Sequence, residues 1–367
     1  MEHYIGLMSG TSMDGVDAVL VAIDAQHCQL LQQRAHPMPP SLKADLLAVN
    51  QGQPTSLKAI GELDHRLGLL FAEAVNALLD ESAIAAKDVR AIGSHGQTVF
   101  HQPTGEYPFT LQLGDANLIA AHTGVATVAD FRRLDMAFGG QGAPLVPAFH
   151  QQMFPVSSST RVIVNLGGIA NITVLQADGS CIGYDTGPAN MLLDAWIAEQ
   201  RGLRFDRDGA WAAQGQALPE LLAKMLAEPY FKQPAPKSTG RELFNLSWLA
   251  SLIGDAHHAP EDVQATLLEL TVTSLAEQLR MHGQGEQPEL VVCGGGAQNA
   301  YLQQQLGQAL PDWQLRSSAD YGIDPDNLEA IAFAWLAYRR IHNLPSNLPA
   351  VTGASRTVSL GAIYPAP

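Results

Sequence analysis

Three short turns rich in glycine, serine and threonine each follow an apolar run of the chain. In such turns the small side chains let backbone N–H groups approach an anion closely, which is one way proteins hold phosphate without lysine. Each turn alone is explained equally well as a tight connection that needs a positive φ at glycine. Together the three turns indicate phosphate binding. They span residues 9–15, 166–169 and 294–297.

Asp185 is a candidate general base. It follows an apolar run and precedes Thr186, Gly187 and Pro188. This order predicts that one of the first two residues caps a helix over 189–200, with the proline at its first position. The positive end of that helix would favour the ionised carboxylate, which is the form a base needs. The alternative is that Asp185 only caps the helix.

Two adjacent arginines, Arg132 and Arg133, follow the end of a predicted strand at Asp130. A guanidinium can hold a carboxylate through two parallel hydrogen bonds, so either arginine is a candidate for binding an anionic group. The alternative is a solvated ion pair with Asp130 or Asp135. Glu329 opens an apolar helical pattern, and the alternative to a role in the site is that it serves only as a favourable charge at a helix N-terminus.

Small residues surround His95 in the segment 94–98, which indicates a turn that faces a ligand. Neither His95 with His101 nor the pair at 257–258 has a third ligand at zinc-like spacing, so we interpret these histidines as core or surface residues. The segment 237–240 is similar to the K-T-G motif of serine acyl-enzymes. Because no S-x-x-K accompanies it, we interpret that similarity as coincidence.

The elements that must position these residues alternate between strands and helices, which predicts an α/β protein. Strand–turn–strand patterns at 4–23 and 161–175 share one design and indicate a repeat at the scale of a domain. The stretch 155–160 is the predicted boundary, between an N-terminal lobe over 1–155 and a C-terminal lobe over 156–367. Apolar spacing predicts helices over 56–79, 262–281, 298–310 and 330–341.

Composition restricts the class of protein. The 367 residues exceed what one core usually organises. A net charge of −15 argues against nucleic acid and anionic membrane surfaces as partners, and no apolar run is long enough for a membrane span. Cys28, Cys181 and Cys293 lack C-x-x-C spacing, which argues against disulfides and thiolate zinc. With no signal-peptide pattern, we expect a cytoplasmic protein; a homodimer is only the commonest expectation.

Five segments carry motifs that are specific in combination: GTSMDGVD at 10–17, SHGQT at 94–98, NLGGIAN at 165–171, DTGPAN at 185–190 and KSTGRE at 237–242. With these motifs the chain resembles the anhydro-N-acetylmuramic acid kinase family. The wider superfamily contains sugar kinases, actin and heat-shock chaperones, whose two lobes each carry a phosphate hairpin and whose second lobe adds an adenosine loop. The segments 6–24, 162–175 and 290–297 resemble those three elements in the same order.

The resemblance implies a two-lobed, actin-like ATPase fold of the ribonuclease H-like type, with a central cleft between the lobes. It implies that ATP and water convert 1,6-anhydro-N-acetylmuramic acid, an amino sugar, into N-acetylmuramate 6-phosphate and ADP during cell-wall recycling. In that reaction water opens the anhydro bridge at C1 and the freed O6 takes the γ-phosphoryl group. Such chemistry needs a general base and a phosphate held by donors and Mg²⁺.

The resemblance also implies roles for single residues. Asp185 is the base, Arg132 lies near it and the reacting oxygens, and Glu329 faces Asp185 and positions water. Asp14 faces Mg²⁺ directly or through water, against the alternative of an Asx turn. The implied nucleotide-binding residues are Gly10, Thr11, Ser12, Met13, Asp14, Gly15, Val16, Asp17, Gly167, Gly168, Gly294, Gly295 and Gly296. The implied sugar-binding residues are His95, Gly96, Gln97, Thr98, Asp130, Thr186, Gly187 and Asn190.

Two other functions remain open from the sequence. A phosphohydrolase of the same superfamily would pass phosphate to water, and a nucleotide switch would use ATP-driven closure to bind a partner. A chaperone would need an appended peptide-binding domain, for which no residues remain. The Asp185 element and the polar loop 94–98 favour a small polyhydroxy ligand.

Overall fold

The computed structural model describes residues 1–10, 13–156 and 158–367. The chain divides into two compact units: unit 1 comprises residues 1–153 and 327–367, and unit 2 comprises residues 154–326. The predicted boundary at 155 lies two residues from the first division. The predicted C-terminal lobe contains all residues from 156 to 367, whereas in the structure residues 327–367 pack with unit 1. The reason is the apolar helix within this segment, which packs on the unit 1 sheet.

The secondary structure is mixed, as predicted. The strands are β1 Glu2–Met8, β2 Gly15–Ile23, β3 Cys28–Pro37, β4 Val89–Ser94, β5 Gln97–Gln102, β6 Phe109–Leu113, β7 Thr127–Ala129, β8 Arg161–Leu166, β9 Ile169–Leu175, β10 Cys181–Pro188, β11 Glu289–Cys293, β12 Gln314–Ser317 and β13 Ala362–Tyr364. The α-helices are α1 Pro40–Asn50, α2 Leu57–Asp80, α3 Ala116–Thr123, α4 Arg133–Ala137, α5 Val146–Met153, α6 Asn190–Arg201, α7 Pro219–Leu226, α8 Leu246–Ile253, α9 Pro260–His282, α10 Ala300–Ala309, α11 Leu328–Ile341 and α12 Pro349–Thr352.

Unit 1 contains a six-stranded sheet in the order β13-β7-β4-β1-β2-β3 and a separate β5–β6 hairpin. Strands β1 and β2 form an antiparallel hairpin, whereas β1 pairs with β4 in parallel. Because side chains alternate along a strand, β1 supports a layer on each face. Ile5 and Leu7 join the core that includes α2, and Tyr4 packs edge-on against Tyr338 of α11.

Unit 2 contains a five-stranded sheet in the order β10-β9-β8-β11-β12. Its β8–β9 hairpin is antiparallel, and β11 lies parallel to both β8 and β12. The long helix α9 packs against β10, α6, α7 and α10. Apolar residues from all these elements form one buried core, including Leu267, Leu270 and Leu275 of α9. The predicted α/β class is therefore confirmed in each unit.

The four helices predicted from apolar spacing are present as α2, α9, α10 and α11, with ends within three residues of the prediction. Ser56 caps α2 by accepting a hydrogen bond from the N–H of Ala59. Within the described ranges, no helix is both long and apolar enough to cross a membrane.

Helix α11 lies unusually close to the unit 1 sheet because two strand glycines face it. A Cβ added at Gly6 would lie 1.9 Å from the carbonyl oxygen of Ala330, and one at Gly93 would lie 2.0 Å from that of Phe333. Real Cβ atoms do not approach backbone oxygens so closely, so any side chain here must push the helix away. Both glycines therefore bring α11, with Glu329 in its first turn, onto β1 and β4.

We expect Gly6→Ala to lower the free energy of unfolding by about 1–3 kcal/mol, because overpacking displaces α11 from the sheet. The matched control is Gly61→Ala on the exposed face of α2, where an added Cβ meets nothing within 4 Å. That variant should gain about 0.5–1 kcal/mol from helix propensity. Urea unfolding measures both, and equal midpoints for the two variants would contradict the close approach.

Candidate active site

Asp185 lies inside β10, at a bulge where the pairing with β9 shifts between Asp185 and Gly187. Its carboxylate oxygen Oδ2 accepts two hydrogen bonds, from the Ser238 hydroxyl at 2.9 Å and from the Thr239 N–H at 3.0 Å. Oδ1 accepts no hydrogen bond from any residue that the structure describes. One oxygen is thus anchored while the other remains available to take a proton.

The backbone of Asp185 is held by the same segment. Its N–H donates to the Lys237 carbonyl at 3.0 Å, and its carbonyl accepts from the Tyr230 hydroxyl at 2.6 Å. Lys237 is buried, and its Nζ donates to the carbonyls of Tyr230 and Phe231, each at 3.1 Å. We name Tyr230 and residues 237–239 the Asp185 cradle.

The cradle is not apparent as a site from the residue types alone. The K-S-T-G segment is similar to a motif of acyl-enzymes by coincidence, and it otherwise contributes one motif to the family resemblance. Its function as a clamp depends on contacts between residues more than 50 positions apart. The signal in the sequence is the run of small hydrogen-bonding residues itself.

Burial raises the pKa of Asp185 above its ordinary value. The Thr239 N–H and the Ser238 hydroxyl oppose this by stabilising the charged form, and the nearby Glu242 adds to the increase. A carboxylate with a raised pKa is a stronger base than one in water, while its two donors still favour ionisation. These properties suit Asp185 to accept a proton.

The helix after Asp185 begins later than predicted. Pairing with β9 continues through Pro188, so this proline ends β10, and Ala189 is the N-cap of α6. The first amides of α6 are also occupied: Asn190 N–H donates to Gly167 O at 3.0 Å and Met191 N–H to Gly168 O at 3.1 Å. The predicted helix start with Pro188 at the first position is therefore wrong, and these two amides do not donate to the Asp185 carboxylate. The cradle supplies the donors instead.

Two of the three glycine-rich turns adjoin within unit 2. A Cβ added at Gly294, whose φ is +79°, would lie 2.1 Å from the Asn165 Oδ1, and one at Gly296 would lie 2.5 Å from the Leu166 Cβ. Asn190 joins them, because its Nδ2 donates to the Leu166 carbonyl at 2.8 Å. Around Gly295 an added Cβ meets nothing within 4 Å. The paired turns thus leave backbone accessible at their edge.

Two predicted sugar-binding residues of unit 2 have packing contacts instead of an open face. Thr186 is buried and its hydroxyl donates to the Ala170 carbonyl at 3.2 Å. At Gly187 an added Cβ would lie 2.7 Å from the Phe231 ring. Both positions support the bulge that presents Asp185.

The third turn belongs to the β1–β2 hairpin of unit 1. Of its predicted nucleotide-binding residues, Thr11 and Ser12 lie outside the described residues. Met13 has a φ of +53° and is buried, and Asp14 forms an ion pair with Lys43 of α1 at 2.5 Å. The turn therefore has a cation nearby in space, although none is close in sequence.

Asp14 suits the predicted magnesium ion chemically. Its carboxylate is more than half exposed, and Mg²⁺ prefers hard oxygen ligands while retaining several waters. Across the ranges that the structure covers, no group of three or more histidine, cysteine or acidic side chains is arranged to hold a metal. A single protein carboxylate is compatible with an ion bound mainly through phosphate and water.

Arg132, which is partly buried, and His95, which is buried, form a pair in unit 1. Arg132 Nη2 lies 2.7 Å from His95 Nε2, and Nη1 donates to the Gly142 carbonyl at 2.8 Å. A guanidinium only donates, so His95 Nε2 must accept and the ring is neutral, with its proton on Nδ1. Burial, and then the charge of Arg132, lower the pKa of His95 to about 3.

Glu329 and Asp17 lie near Arg132 within the same unit. Burial raises the pKa of Glu329, which the charge of Arg132 opposes and that of Asp17 reinforces. Burial lowers the pKa of Arg132 to about 10, and Glu329 opposes that change. Arg133 differs from its neighbour because it is exposed and pairs with Asp130 at 2.8 Å. The alternative of a solvated ion pair thus applies to Arg133 and not to Arg132.

A polar cavity of about 200 Å³ lies beside His95. Its wall includes Asp130 and Gly96, two of the residues predicted to bind sugar, and also Ser94, whose buried hydroxyl has no hydrogen-bond partner among the described residues. Gln97 is buried and accepts a hydrogen bond from Ser9 at 2.7 Å, so it braces the first turn. Other lining residues are Asp64, Asp115, Asn117, Arg133 and Tyr364.

The model of the anhydro-N-acetylmuramic acid kinase family matches residues 2–366. The chain belongs to this family. Curated relatives named anhydro-N-acetylmuramic acid kinase include those of Aliivibrio fischeri (60% identity, 100% of each chain), Vibrio cholerae (57%, 99% of this chain and 98% of the relative) and Pasteurella multocida (52%, 99% and 97%).

Solved structures with lower similarity align over most of the chain. One is component A of the (R)-2-hydroxyglutaryl-CoA dehydratase of Acidaminococcus fermentans (11% identity, TM-score 0.49, 93% of this chain and 100% of that one). Another is an ROK family glucokinase from Streptomyces griseus (12%, TM-score 0.40, 92% and 99%).

The motifs that suggested the kinase family now have defined positions. In unit 1, Gly15, Val16 and Asp17 of GTSMDGVD begin β2, and SHGQT joins β4 to β5; Thr98 Oγ1 accepts from the Gln112 amide at 3.2 Å. In unit 2, NLGGIAN is the β8–β9 turn, DTGPAN joins β10 to α6, and KSTGRE begins with the Asp185 cradle. Each motif lies at a turn or a strand end that presents polar groups.

We expect Ser238→Ala to raise the pKa of Asp185 further, because the lost hydroxyl stabilises the charged form. A base must be ionised, so the acid limb of kcat/KM should move to higher pH, by about one pH unit for one hydrogen bond to a charged group. Ser251→Ala, which removes an exposed hydroxyl on α8, is the control. An unchanged acid limb in Ser238→Ala would contradict Asp185 as the titrating base.

Proposed function

We propose that the protein is an ATP-dependent kinase that opens the anhydro bridge of 1,6-anhydro-N-acetylmuramic acid and phosphorylates the freed O6. The products are N-acetylmuramate 6-phosphate and ADP, in the recycling of cell-wall peptidoglycan. Full-length membership of the family supports this substrate. The geometric observation that carries the mechanism is Asp185, whose carboxylate has one anchored oxygen and one free for a proton.

In the proposed reaction Asp185 takes a proton from water as the water oxygen bonds to C1 of the sugar. The C1–O6 bond breaks, and O6 bonds to the γ-phosphorus while the bond from that phosphorus to the bridging oxygen breaks. ADP leaves with the electron pair of that bond. The raised pKa of Asp185 favours proton acceptance from water.

Arg132 is proposed to stabilise negative charge that develops on the reacting oxygens, and Glu329 to orient the water. Arg132 suits this role because two hydrogen bonds fix its guanidinium, while its buried Nε has no partner among the described residues. Glu329 lies in the first turn of α11, close enough for its pKa to be affected by Arg132.

The nucleotide is proposed to bind through backbone amides of the glycine-rich turns. The chain has 21 lysines and arginines against 36 acidic residues, so few cationic side chains are available to hold phosphate. Asp14 would hold Mg²⁺, directly or through water. When bound, this ion neutralises charge on the phosphate oxygens. Lys43 holds the Asp14 side chain at the turn.

The cavity beside His95 is proposed to receive a neutral part of the sugar that donates hydrogen bonds. Asp64, Asp115 and Asp130 outnumber Arg133 in its wall, so a carboxylate would be repelled there. A hydroxyl or acetamido N–H is favoured, and the Ser94 hydroxyl, which pairs with no described residue, can bind it. The lactyl carboxylate of the substrate would then lie elsewhere.

We also propose a cytoplasmic location and, as the commonest arrangement of such enzymes, a homodimer. The three cysteines are free thiols, as expected in a reducing compartment. The net charge of −15 disfavours nucleic acid and anionic membranes as partners.

Asp185→Asn should lower kcat by about 10³-fold or more, because the amide cannot accept the proton, while ATP affinity stays within about twofold. Coupled ADP release and calorimetric ATP titration measure the two quantities. The matched control is Asp178→Asn in the exposed turn after β9, which should retain wild-type kcat. An Asp185→Asn variant with most of its activity would refute the base assignment. ADP release by the wild type at full rate without sugar would instead support a phosphohydrolase.

Ser94→Ala should weaken binding of the anhydro-sugar by about 3- to 10-fold, the value of one lost hydrogen bond. If the cavity holds a neutral part of the sugar, Ser94→Ala should weaken the binding of an analogue that lacks the lactyl group by the same factor. Calorimetric Kd values for both ligands test this, with Ser41→Ala on the surface of α1 as control. A loss confined to the lactyl-bearing ligand would place the carboxylate in the cavity and overturn the proposal.

A further inference from the structure

The orientation of Arg132 depends on a glycine loop, residues 139–142, that follows α4. The loop supplies the Gly142 carbonyl, which accepts from Arg132 Nη1 at 2.8 Å. Gly142 has a φ of +68°, and a Cβ there would lie 2.9 Å from Met136. Its peptide groups therefore have a defined conformation that places the acceptor opposite Arg132.

The Asp135 carboxylate binds the backbone of this loop. It is completely buried, and its Oδ2 accepts the Gly142 N–H at 2.9 Å. A Cβ at Gly140 would lie only 2.2 Å from the same oxygen, so the loop can close over the carboxylate only with glycine there. Both sides of Gly142 are thus in use: its N–H donates to Asp135 and its carbonyl accepts from Arg132.

The C-terminal part of unit 1 completes the coordination of Asp135. Its Oδ1 accepts from Asn347 Nδ2 and from the Thr352 hydroxyl, each at 2.8 Å. Asn347 is itself oriented, because its Oδ1 accepts the Val358 N–H at 2.7 Å. The backbone adds a further connection from the Gln141 N–H to the Thr352 carbonyl at 2.8 Å.

We propose that Asp135 is a positioning residue for Arg132, acting through Gly142, and that Asn347 and Thr352 are its supports. The proposal rests on the function proposed above for Arg132. It assigns the segment 347–352 a part in catalysis without contact with substrate. It also explains why a carboxylate is fully buried where an apolar residue would otherwise be cheaper to bury.

The chemistry of the site predicts what an amide would do in place of the Asp135 carboxylate. The carboxylate accepts hydrogen bonds from Gly142, Asn347 and Thr352, and all three of these partners donate. An asparagine at this position would offer only one acceptor oxygen. Depending on how the amide is oriented, its NH₂ group would face either the Gly142 N–H or the donors of Asn347 and Thr352. A donor that faces a donor at 2.8–2.9 Å is repulsive, and the loop must move.

Asp135→Asn is the principal test, with histidine-specific ¹⁵N NMR as the readout beside kinetics. If the loop moves, Arg132 loses its acceptor, and the His95 Nε2 signal should shift as that nitrogen loses its donor. Burial is the main cause of the lowered pKa of His95 and the charge of Arg132 adds to it, so the pKa should rise in part when Arg132 moves away. We expect kcat per folded molecule to fall about 10- to 100-fold, with KM for the sugar within about threefold.

The matched control is Asp206→Asn in unit 2, another carboxylate that accepts hydrogen bonds at both oxygens, here from the backbone N–H groups of Trp211 and Ala212 at 2.9 Å. It should lower stability without altering the His95 signals or kcat per folded molecule. An Asp135→Asn variant that folds and keeps wild-type His95 signals and kcat would overturn the proposal.

A milder pair covers the case in which Asp135→Asn does not fold. Thr352→Val removes one donor at nearly constant volume and should give a smaller shift of the same His95 signals, whereas Thr352→Ser should restore them. Identical His95 spectra for Thr352→Val and wild type would refute the connection. If the wild type does not phosphorylate the anhydro-sugar, the proposed function fails, but the His95 spectra still decide whether Asp135 positions Arg132.

Discussion

Burying a carboxylate costs free energy unless hydrogen-bond donors replace the water that it loses, and this constraint shapes the surroundings of both Asp185 and Asp135. Asp185 is compensated at one oxygen only, by Ser238 and Thr239, so the other oxygen remains free and burial still raises its pKa. Asp135 is compensated at both oxygens and has no accessible surface. Partial compensation suits a carboxylate for proton transfer, whereas full compensation suits it for support.

Close contacts between backbone segments at glycine residues recur in both units. The turns at 166–169 and 294–297 lie side by side because glycine lets their backbones approach closely. The first amides of α6 donate hydrogen bonds to the turn at 166–169. Glycine also lets α11 lie against β1 and β4. Close backbone contact is thus the shared structural device, and it explains why substitutions at a few glycines should have large effects.

Much of the fold follows from local sequence patterns. Helices α2, α9, α10 and α11 are predicted by apolar spacing, and the strand–turn–strand units by short apolar runs broken by small residues. The predictions fail where pairing between distant segments outweighs local preference. Pro188 ends a strand because β10 stays paired with β9, although a proline after Thr186 and Gly187 favours a helix start. Residues 327–367 return to unit 1 for a similar reason.

For the candidate site, residue types and family motifs predict roles for Asp185, Arg132, Glu329 and the glycine-rich turns, because chemistry limits which groups can act as a base, an anion ligand or a phosphate loop. They do not indicate which groups hold those side chains. The cradle of Asp185, the pairing of Arg132 with His95, and the support from Asp135 all depend on residues far apart in the chain. Such contacts exist only after folding, because distance along the chain does not determine distance in space.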